Sequence, residues 1–340
     1  MLRREFILSS MNNLALTSSL INNPNSTFNS TNQELIISGI GDVTLGYNFD
    51  LMFNKLSNNY GEEYALNYPF NKVSEIFSKS DIVIANLEGT FTSSNKSRPK
   101  EFSFKGVDKY SECLIKSNIG IVNLANNHFM DYYSVGSNDT IDVLESREIK
   151  YCGGGRNIND SKLVKIIEKN DIKVGFVGYA KVGYSPCASK NDAGTNPYNQ
   201  YIFEEINSFK KECDILVISI HWGVERDSIP NNTEQFEARK IIDNGADIIF
   251  AHHPHVIQGI EEYNNGIIFY SLGNFVFGGN SYPNDRDSFI AEVKCSKKGV
   301  LSHNVIPVIT HPSPFNFQPY IPVDSERIIK KIKERSILIK

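Results

Sequence analysis

Short apolar runs that break off in polar, metal-competent side chains recur along this chain, and that rhythm limits its fold more than any other feature. At its centre, Ile119-Gly-Ile-Val122 leads into Asn123-Leu-Ala-Asn-Asn-His-Phe-Met-Asp131. Before it, Leu35-Ile-Ile-Ser-Gly-Ile-Gly41 delivers Asp42, and Ile82-Val-Ile-Ala85 delivers Asn86-Leu-Glu88. After it, Asp214-Ile-Leu-Val-Ile-Ser-Ile220 ends in His221-Trp-Gly223, residues 246–251 end in His252-His-Pro-His255, and Ile267-Ile-Phe-Tyr270 ends in Ser271-Leu-Gly-Asn274. Helical spacing intervenes at 70–79, 109–117, 139–147, 202–211 and 234–244. Strands alternating with helices predict an α/β fold that gathers a site where its strands end.

A chain of 340 residues forms one large domain or two average ones. Its net charge of −4 lacks the basic footprint of a nucleic-acid binder. The five cysteines are scattered and form no CxxC, which argues against a zinc knuckle or disulfide framework and for free thiols. Residues 1–33 read as a leader and linker: Arg3-Arg4 ahead of a mildly apolar stretch resembles a twin-arginine export signal, and a disordered Asn/Ser-rich leader is the alternative. Export or membrane association is therefore expected, with a cytoplasmic location as the alternative. The folded domain is expected over 34–310, with a C-terminal tail over 311–340 that ends in a basic surface helix. A hairpin is expected at 164–179, antiparallel edge strands at 289–295 and 300–310, and a candidate lid at 184–200. Tyr151-Cys-Gly-Gly-Gly155 lacks the spacing and following helix of a nucleotide loop.

Five of the seven histidines (His128, His221, His252, His253 and His255) lie at these strand ends, beside Asp42 and Glu88. Imidazole, carboxylate and amide oxygen together suit Zn, Mn or Fe rather than Ca or a thiolate structural-zinc site. One or two divalent ions are expected, since two ions sharing a carboxylate need about this many ligands. On an extended backbone His253 and His255 point the same way. Asp131 either orients His128 or caps the following helix. The segment 93–105 carries Lys96, Arg98, Lys100 and Lys105 around Phe102 and Phe104. It reads as a solvated surface loop, with a flap that meets an anionic substrate as the alternative.

Six blocks carry a resemblance: Gly41-Asp42-Val-Thr-Leu-Gly46, Asn86-Leu-Glu88-Gly, Leu124-Ala-Asn-Asn-His128-Phe-Met-Asp131, His221-Trp-Gly-Val-Glu225, His253-Pro-His255-Val-Ile-Gln258-Gly and Tyr270-Ser-Leu-Gly-Asn-Phe275. In this order, over about residues 35–280, they resemble the capsule-synthesis CapA/PgsA family, which is associated with poly-γ-glutamate production or export. The resemblance implies a four-layer α/β/β/α sandwich of the calcineurin-like metallophosphoesterase type. It implies metal ligation by Asp42, Glu88, Asn127, His221, His253 and His255, and a His128 that steadies or protonates the reacting group. Where that pattern has a histidine two residues after the first aspartate, this chain has Thr44. Substrate contacts are expected from Arg98, Lys105, Arg226 and Asn274. The expected substrate is an anionic polymer or a phosphorylated compound, and the expected activity is metal-dependent hydrolysis of a phosphoester or amide. The alternative is a non-catalytic component that binds the growing polymer within a membrane synthase complex.

Overall fold

The computed structural model describes residues 33–339. Its main strands are β1 (Glu34–Thr44), β2 (Ile82–Leu87), β3 (Ile121–Asn123), β4 (Lys150–Cys152), β5 (Lys165–Lys169), β6 (Ile172–Lys181), β7 (Ile215–Trp222), β8 (Ile248–His252), β9 (Ile260–Tyr263), β10 (Gly266–Phe269), β11 (Asn274–Phe277), β12 (Asp287–Ser296) and β13 (Gly299–Ile309). The helices that concern the site are α1 (Phe49–Tyr60), α2 (Tyr133–Ser146), α3 (Ile202–Lys210), α4 (Asn232–Asp243) and α5 (Glu326–Ile337). One sheet has the order β13-β12-β1-β2-β3-β4, with β11 also pairing to β1, and the other β9-β10-β8-β7-β6-β5. In the second sheet parallel pairs form the middle and antiparallel pairs both edges; in the first, the antiparallel pairs β13-β12 and β12-β1 form one edge and the parallel pair β3-β4 the other. Several parallel strands of the two sheets therefore deliver their C-terminal ends to a common place.

Side-chain alternation makes the layers. Ile82, Ile84 and Ile121 of one sheet pack with Val174, Val217, Phe250 and Phe269 of the other. The intervening Val83, Ala85 and Val122 turn outward to Phe53, Phe77, Leu114, Ile141 and Leu144. Leu216, Ile218 and Ile220 turn outward from the second sheet to Ile202, Ile206, Ala238 and Ile241. The result is a four-layer α/β/β/α sandwich, as the resemblance implies. With a period of two, Asn86, Asn123 and His221 fall on the inner face just where the apolar run ends. Gly39 leaves room for Phe250 of the opposite sheet, since a Cβ there would lie 2.6 Å from the ring.

Several expectations need adjustment. The leader read at 1–33 lies, apart from Gln33, outside the described residues. Helix α1 was not foreseen; it is rich in Asn and Ser, weak helix formers, and is held by burial of Phe49, Met52 and Phe53. The basic C-terminal helix α5 is not wholly at the surface, because Ile328 and Ile332 are buried at the edge of the core between the sheets. The 184–200 segment is tied down on the glycine turn: Gly194–Thr195 pairs with Gly154–Gly155, and the Asn196 amide donates to the Gly153 carbonyl at 2.7 Å. Cys113, Cys152 and Cys295 are buried free thiols, Cys213 is half-buried and Cys187 is exposed. No helix among the described residues is long and apolar enough to cross a membrane.

Candidate metal centre

Asp42 reaches the site through a register shift. Ile40 pairs with Ala85, but Asp42, not Gly41, pairs with Asn86. The extra residue rotates β1, so Asp42 joins Asn86 on the inner face while Val43 continues the outer core. Gly41 permits this, because a Cβ there would lie 1.9 Å from the Gly273 carbonyl oxygen, and the Asp42 amide donates to that same oxygen at 2.9 Å. The Asn86 side-chain amide donates to Asp42 Oδ1 at 2.9 Å and lies 3.2 Å from His221 Nδ1, which links the two sheets. Asn123 and Asn126 both donate to Asn86 Oδ1.

Glu88 lies at the centre. Its Oε1 is 3.7 Å from His128 Nε2, 3.9 Å from His221 Nε2 and 3.8 Å from His255 Nε2. Asp42 Oδ2 is 3.1 Å from His255 Nδ1, and Asp42 Oδ1 is 3.4 Å from His252 Nδ1. Asp42, Glu88 and His255 form one potential ligand cluster, and Glu225, His253 and His255 form another. His221 Nε2 and Asn127 Oδ1 are 2.9 Å apart. Six expected ligand side chains therefore converge from both sheets. His253 and His255 do so on a backbone that differs from expectation: their φ angles are +96° and +56°, so left-handed turns rather than extended geometry aim the rings. Thr44 supplies no ligand; its hydroxyl donates to the Glu88 carbonyl at 2.7 Å.

His128 is set differently. Its Nδ1 is 2.7 Å from Asp131 Oδ2, and its ring stacks on Phe104 with centroids 4.2 Å apart. Asp131 also accepts from the Lys100 ammonium at 2.6 Å and the Phe104 amide at 2.7 Å. Helix α2, which follows, has no side-chain cap, so Asp131 serves the imidazole and not the helix. The 93–105 segment is thus more than a solvated loop, because it brings Phe104 and Lys100 onto the His128–Asp131 pair.

The charges strain against burial. Burial would raise the Asp42 carboxyl, but hydrogen bonds and charge from His252 and His255 outweigh it and hold Asp42 well below the usual range. Burial, then the Asp42 charge, pushes Glu88 well above it. Burial lowers His128 against the pull of Asp131. Burial, then the His253 charge, lowers His221, and burial with His255 lowers His253 to about 4. Burial would lower His255 too, yet Glu88 and then Asp42 raise it to about 9. Asp42 thus keeps its charge beside the His255 ring, and Glu88 is driven toward its protonated form. Both Glu88 oxygens are fully buried and accept no hydrogen bond among the described residues. An ionised carboxylate in that setting is expensive unless a cation meets it. The donor set therefore fits a divalent metal.

The expected substrate residues divide. Asn274 Oδ1 accepts from His255 Nδ1 at 2.9 Å, and so orients a ligand candidate. Arg226 is exposed and lines the cleft with His128, Glu225, His255 and Phe277. Arg98 is occupied elsewhere, with Nε donating to the Met130 carbonyl and the guanidinium against Tyr133 and Tyr184. Lys105 donates to the Ser94 carbonyl and to Asn95 Oδ1. Sequence reasoning missed Asn86, Lys100 and the position of Glu225, although all three lie within or beside motifs already singled out.

With this geometry in hand, residues 36–279 match the family described as bacterial capsule synthesis protein PGA_cap. The chain belongs to that family. It is 35% identical over 267 residues to the PGA biosynthesis protein CapA of Bacillus subtilis, covering 77% of this chain and 70% of the relative. It is 30% identical over 287 residues to the capsule biosynthesis protein CapA of Bacillus anthracis, covering 82% and 68% respectively. Among solved structures, a phosphatase of Mycoplasma pneumoniae aligns with a TM-score of 0.48 at 16% identity, over 81% of this chain and 94% of its own. At that score the family assignment rests on the sequence match and the architecture on the sheets themselves.

Proposed function

We propose that this member of the capsule synthesis family acts in poly-γ-glutamate metabolism through a metal-dependent hydrolytic centre that takes an anionic substrate. The names of the two Bacillus relatives support the pathway. One observation carries the chemistry: Glu88, with two buried and unpartnered oxygens, lies within 3.9 Å of three imidazoles. Asp42, Glu88, Asn127, His221, His253 and His255 would hold one or two ions of Zn, Mn or Fe. Such an ion, when bound, polarises a substrate oxygen and eases deprotonation of water. His128 contributes the proton. Asp131 accepts from Nδ1 and, against the burial that lowers His128, steadies the imidazolium, the form that carries an Nε2 proton for a leaving group. Phe104 shields the other side of the ring from water. Arg226 offers a cation to a carboxylate or phosphate at the rim. Export or membrane association accords with the leader sequence, which lies outside the described residues.

Metal content of the purified chain tests this first. About one or two equivalents per chain are expected, reduced in Asp42→Ala and His253→Ala. With metal present, hydrolysis of γ-glutamyl peptides or aryl phosphates should fall about 100-fold or more in His128→Ala. A protein that takes up no ion after incubation with Zn, Mn or Fe refutes the hydrolytic reading.

Thr44 favours a second reading. Because its hydroxyl is committed to the Glu88 carbonyl, one ligand of the wider phosphoesterase pattern is missing. A component that binds polymer without cleaving it would tolerate that loss. Metal uptake with no turnover of either substrate class would select this reading.

A further inference from the structure

A second cavity, of about 690 Å³, adjoins the candidate centre and shares Arg226, His255, Asn274 and Asn280 with its cleft. Most of its far wall lies beyond residue 279, where the family match ends. Helix α5 contributes Arg327, Lys331 and Arg335, which the helical period of 3.6 places along one face. Asp285 and Arg286 just before β12, and Asp287 at its start, complete that wall.

The pairing inside this groove is incomplete. Asp287 takes a two-pronged contact from Arg327, at 2.6 and 2.5 Å, and a further one from Lys331. Asp285 meets Lys331 at 3.2 Å and Arg335 at 3.9 Å. Arg286 donates to the His311 carbonyl at 3.1 Å and has no carboxylate partner among the described residues. Arg226 has no side-chain partner among them. Five cationic side chains therefore face two carboxylates, in a protein whose net charge is −4. A local positive groove on a negative molecule focuses an anionic ligand, and a volume of about 690 Å³ is far larger than a single small anion fills.

We propose that this groove is a subsite for an extended polycarboxylate chain, held by Arg226 and Arg286 and bordered by α5, which leads the polymer into the metal centre. This rests on the poly-γ-glutamate reading for the identity of the chain, but none of the groove's Arg and Lys side chains is a candidate metal ligand, although His255 lines both cavities. The two aspartates fix the α5 cations in place, so that the groove's width is set before any ligand arrives. Arg226 and Arg286 supply the unspent charge. Arg226 belongs to both cavities and would hold the chain at the junction.

Binding of fluorescent γ-glutamyl oligomers of about two and about ten residues to the full chain, followed by anisotropy at low and high salt, tests the proposal. The parent should bind the long oligomer more tightly than the short one, with the advantage shrinking at high salt. Arg226→Gln and Arg286→Gln should each weaken the long oligomer about five-fold and leave the short one less affected. Lys330→Gln is the control, since Lys330 is exposed on α5 and among the described residues pairs only with Glu334, at 3.8 Å. It removes the same charge away from the groove and should change nothing. Equal weakening by Lys330→Gln, or equal affinity for both lengths, overturns the groove. Arg226, whose side chain has no partner among the described residues, keeps the test decisive if Arg286→Gln folds poorly. A polyphosphate chain of matched charge separates the two readings. If polyphosphate binds and is sensitive to Arg226→Gln while γ-glutamyl oligomers do not bind, the polycarboxylate class fails. If γ-glutamyl oligomers bind with the expected pattern but are not hydrolysed, the groove stands and the hydrolytic reading fails.

Discussion

At the scale of single residues, the site depends on how Asp42, Glu88 and His255 share protons. His255, raised to about 9, is protonated near neutral pH and must shed that proton to offer a lone pair to a metal. Adding Zn or Mn to chelator-stripped protein in weak buffer at about pH 7.5 should therefore release about one proton or more per ion, and less in His255→Ala. Metal affinity should likewise weaken as pH falls. Uptake of metal without acidification would show that no protonated His255 gives up its proton as the metal binds. The ligand types were legible in the sequence because each follows an apolar run directly. Asn86 was harder to read, since its partners Asp42 and His221 are 44 and 135 residues away and its role exists only once two sheets face each other. Nothing in the sequence separates Lys100 from Arg98 and Lys105, which share its charge and its loop. Only folding decides which of these cations reaches Asp131 and which are spent on Met130, Ser94 and Asn95.

At the scale of elements, strand existence followed from apolar runs, but strand registers did not. The shift at Gly41 depends on the Gly273 carbonyl, which belongs to a distant segment, and nothing in the β1 alternation records it. Helix α1 escaped notice for the converse reason, because weak local propensity was overridden by burial of Phe49, Met52 and Phe53. The turn at His253-Pro-His255 was read as extended, a conformation that the positive φ angles exclude. The register shift gives a direct test. In Gly41→Ala the new methyl would meet a backbone oxygen at 1.9 Å, which no side-chain rotation relieves. A loss of about 1–3 kcal/mol in urea unfolding is expected, together with lower metal content. Gly120→Ala, whose added methyl meets nothing within 4 Å, is the matched control. Unchanged metal content in Gly41→Ala would show that the contact with Gly273 does not hold Asp42 in place.

At the scale of the whole molecule, the segment after residue 310 is bound into the same body as the site. His311 is fully buried, its ring lies 4.8 Å from that of Phe317 at 82°, and its Nε2 accepts and donates no hydrogen bond among the described residues. Burial, then the nearby Arg286 charge, lowers it to about 4. An unfolded chain would protonate the same ring near its usual value of about 6.5. Between those values the unfolded state binds the extra proton, so stability falls as pH drops from about 6.5 to about 4 and is retained above that window. The full shift corresponds to at most about 3 kcal/mol. His311→Leu removes the proton site while keeping an apolar contact with Phe317. Its urea-unfolding free energy should therefore decline less steeply between pH 6.5 and 4 than the parent's, even if its stability at about pH 7 is lower. The other acid-sensitive groups, His253 included, remain in both proteins and cancel in the comparison. Parallel curves would mean that His311 is reached by water before the body unfolds, and that the segment beyond 310 melts separately from the sandwich. A difference confined to that window would make it part of one cooperative unit, which is what a groove built between α5 and the metal centre requires.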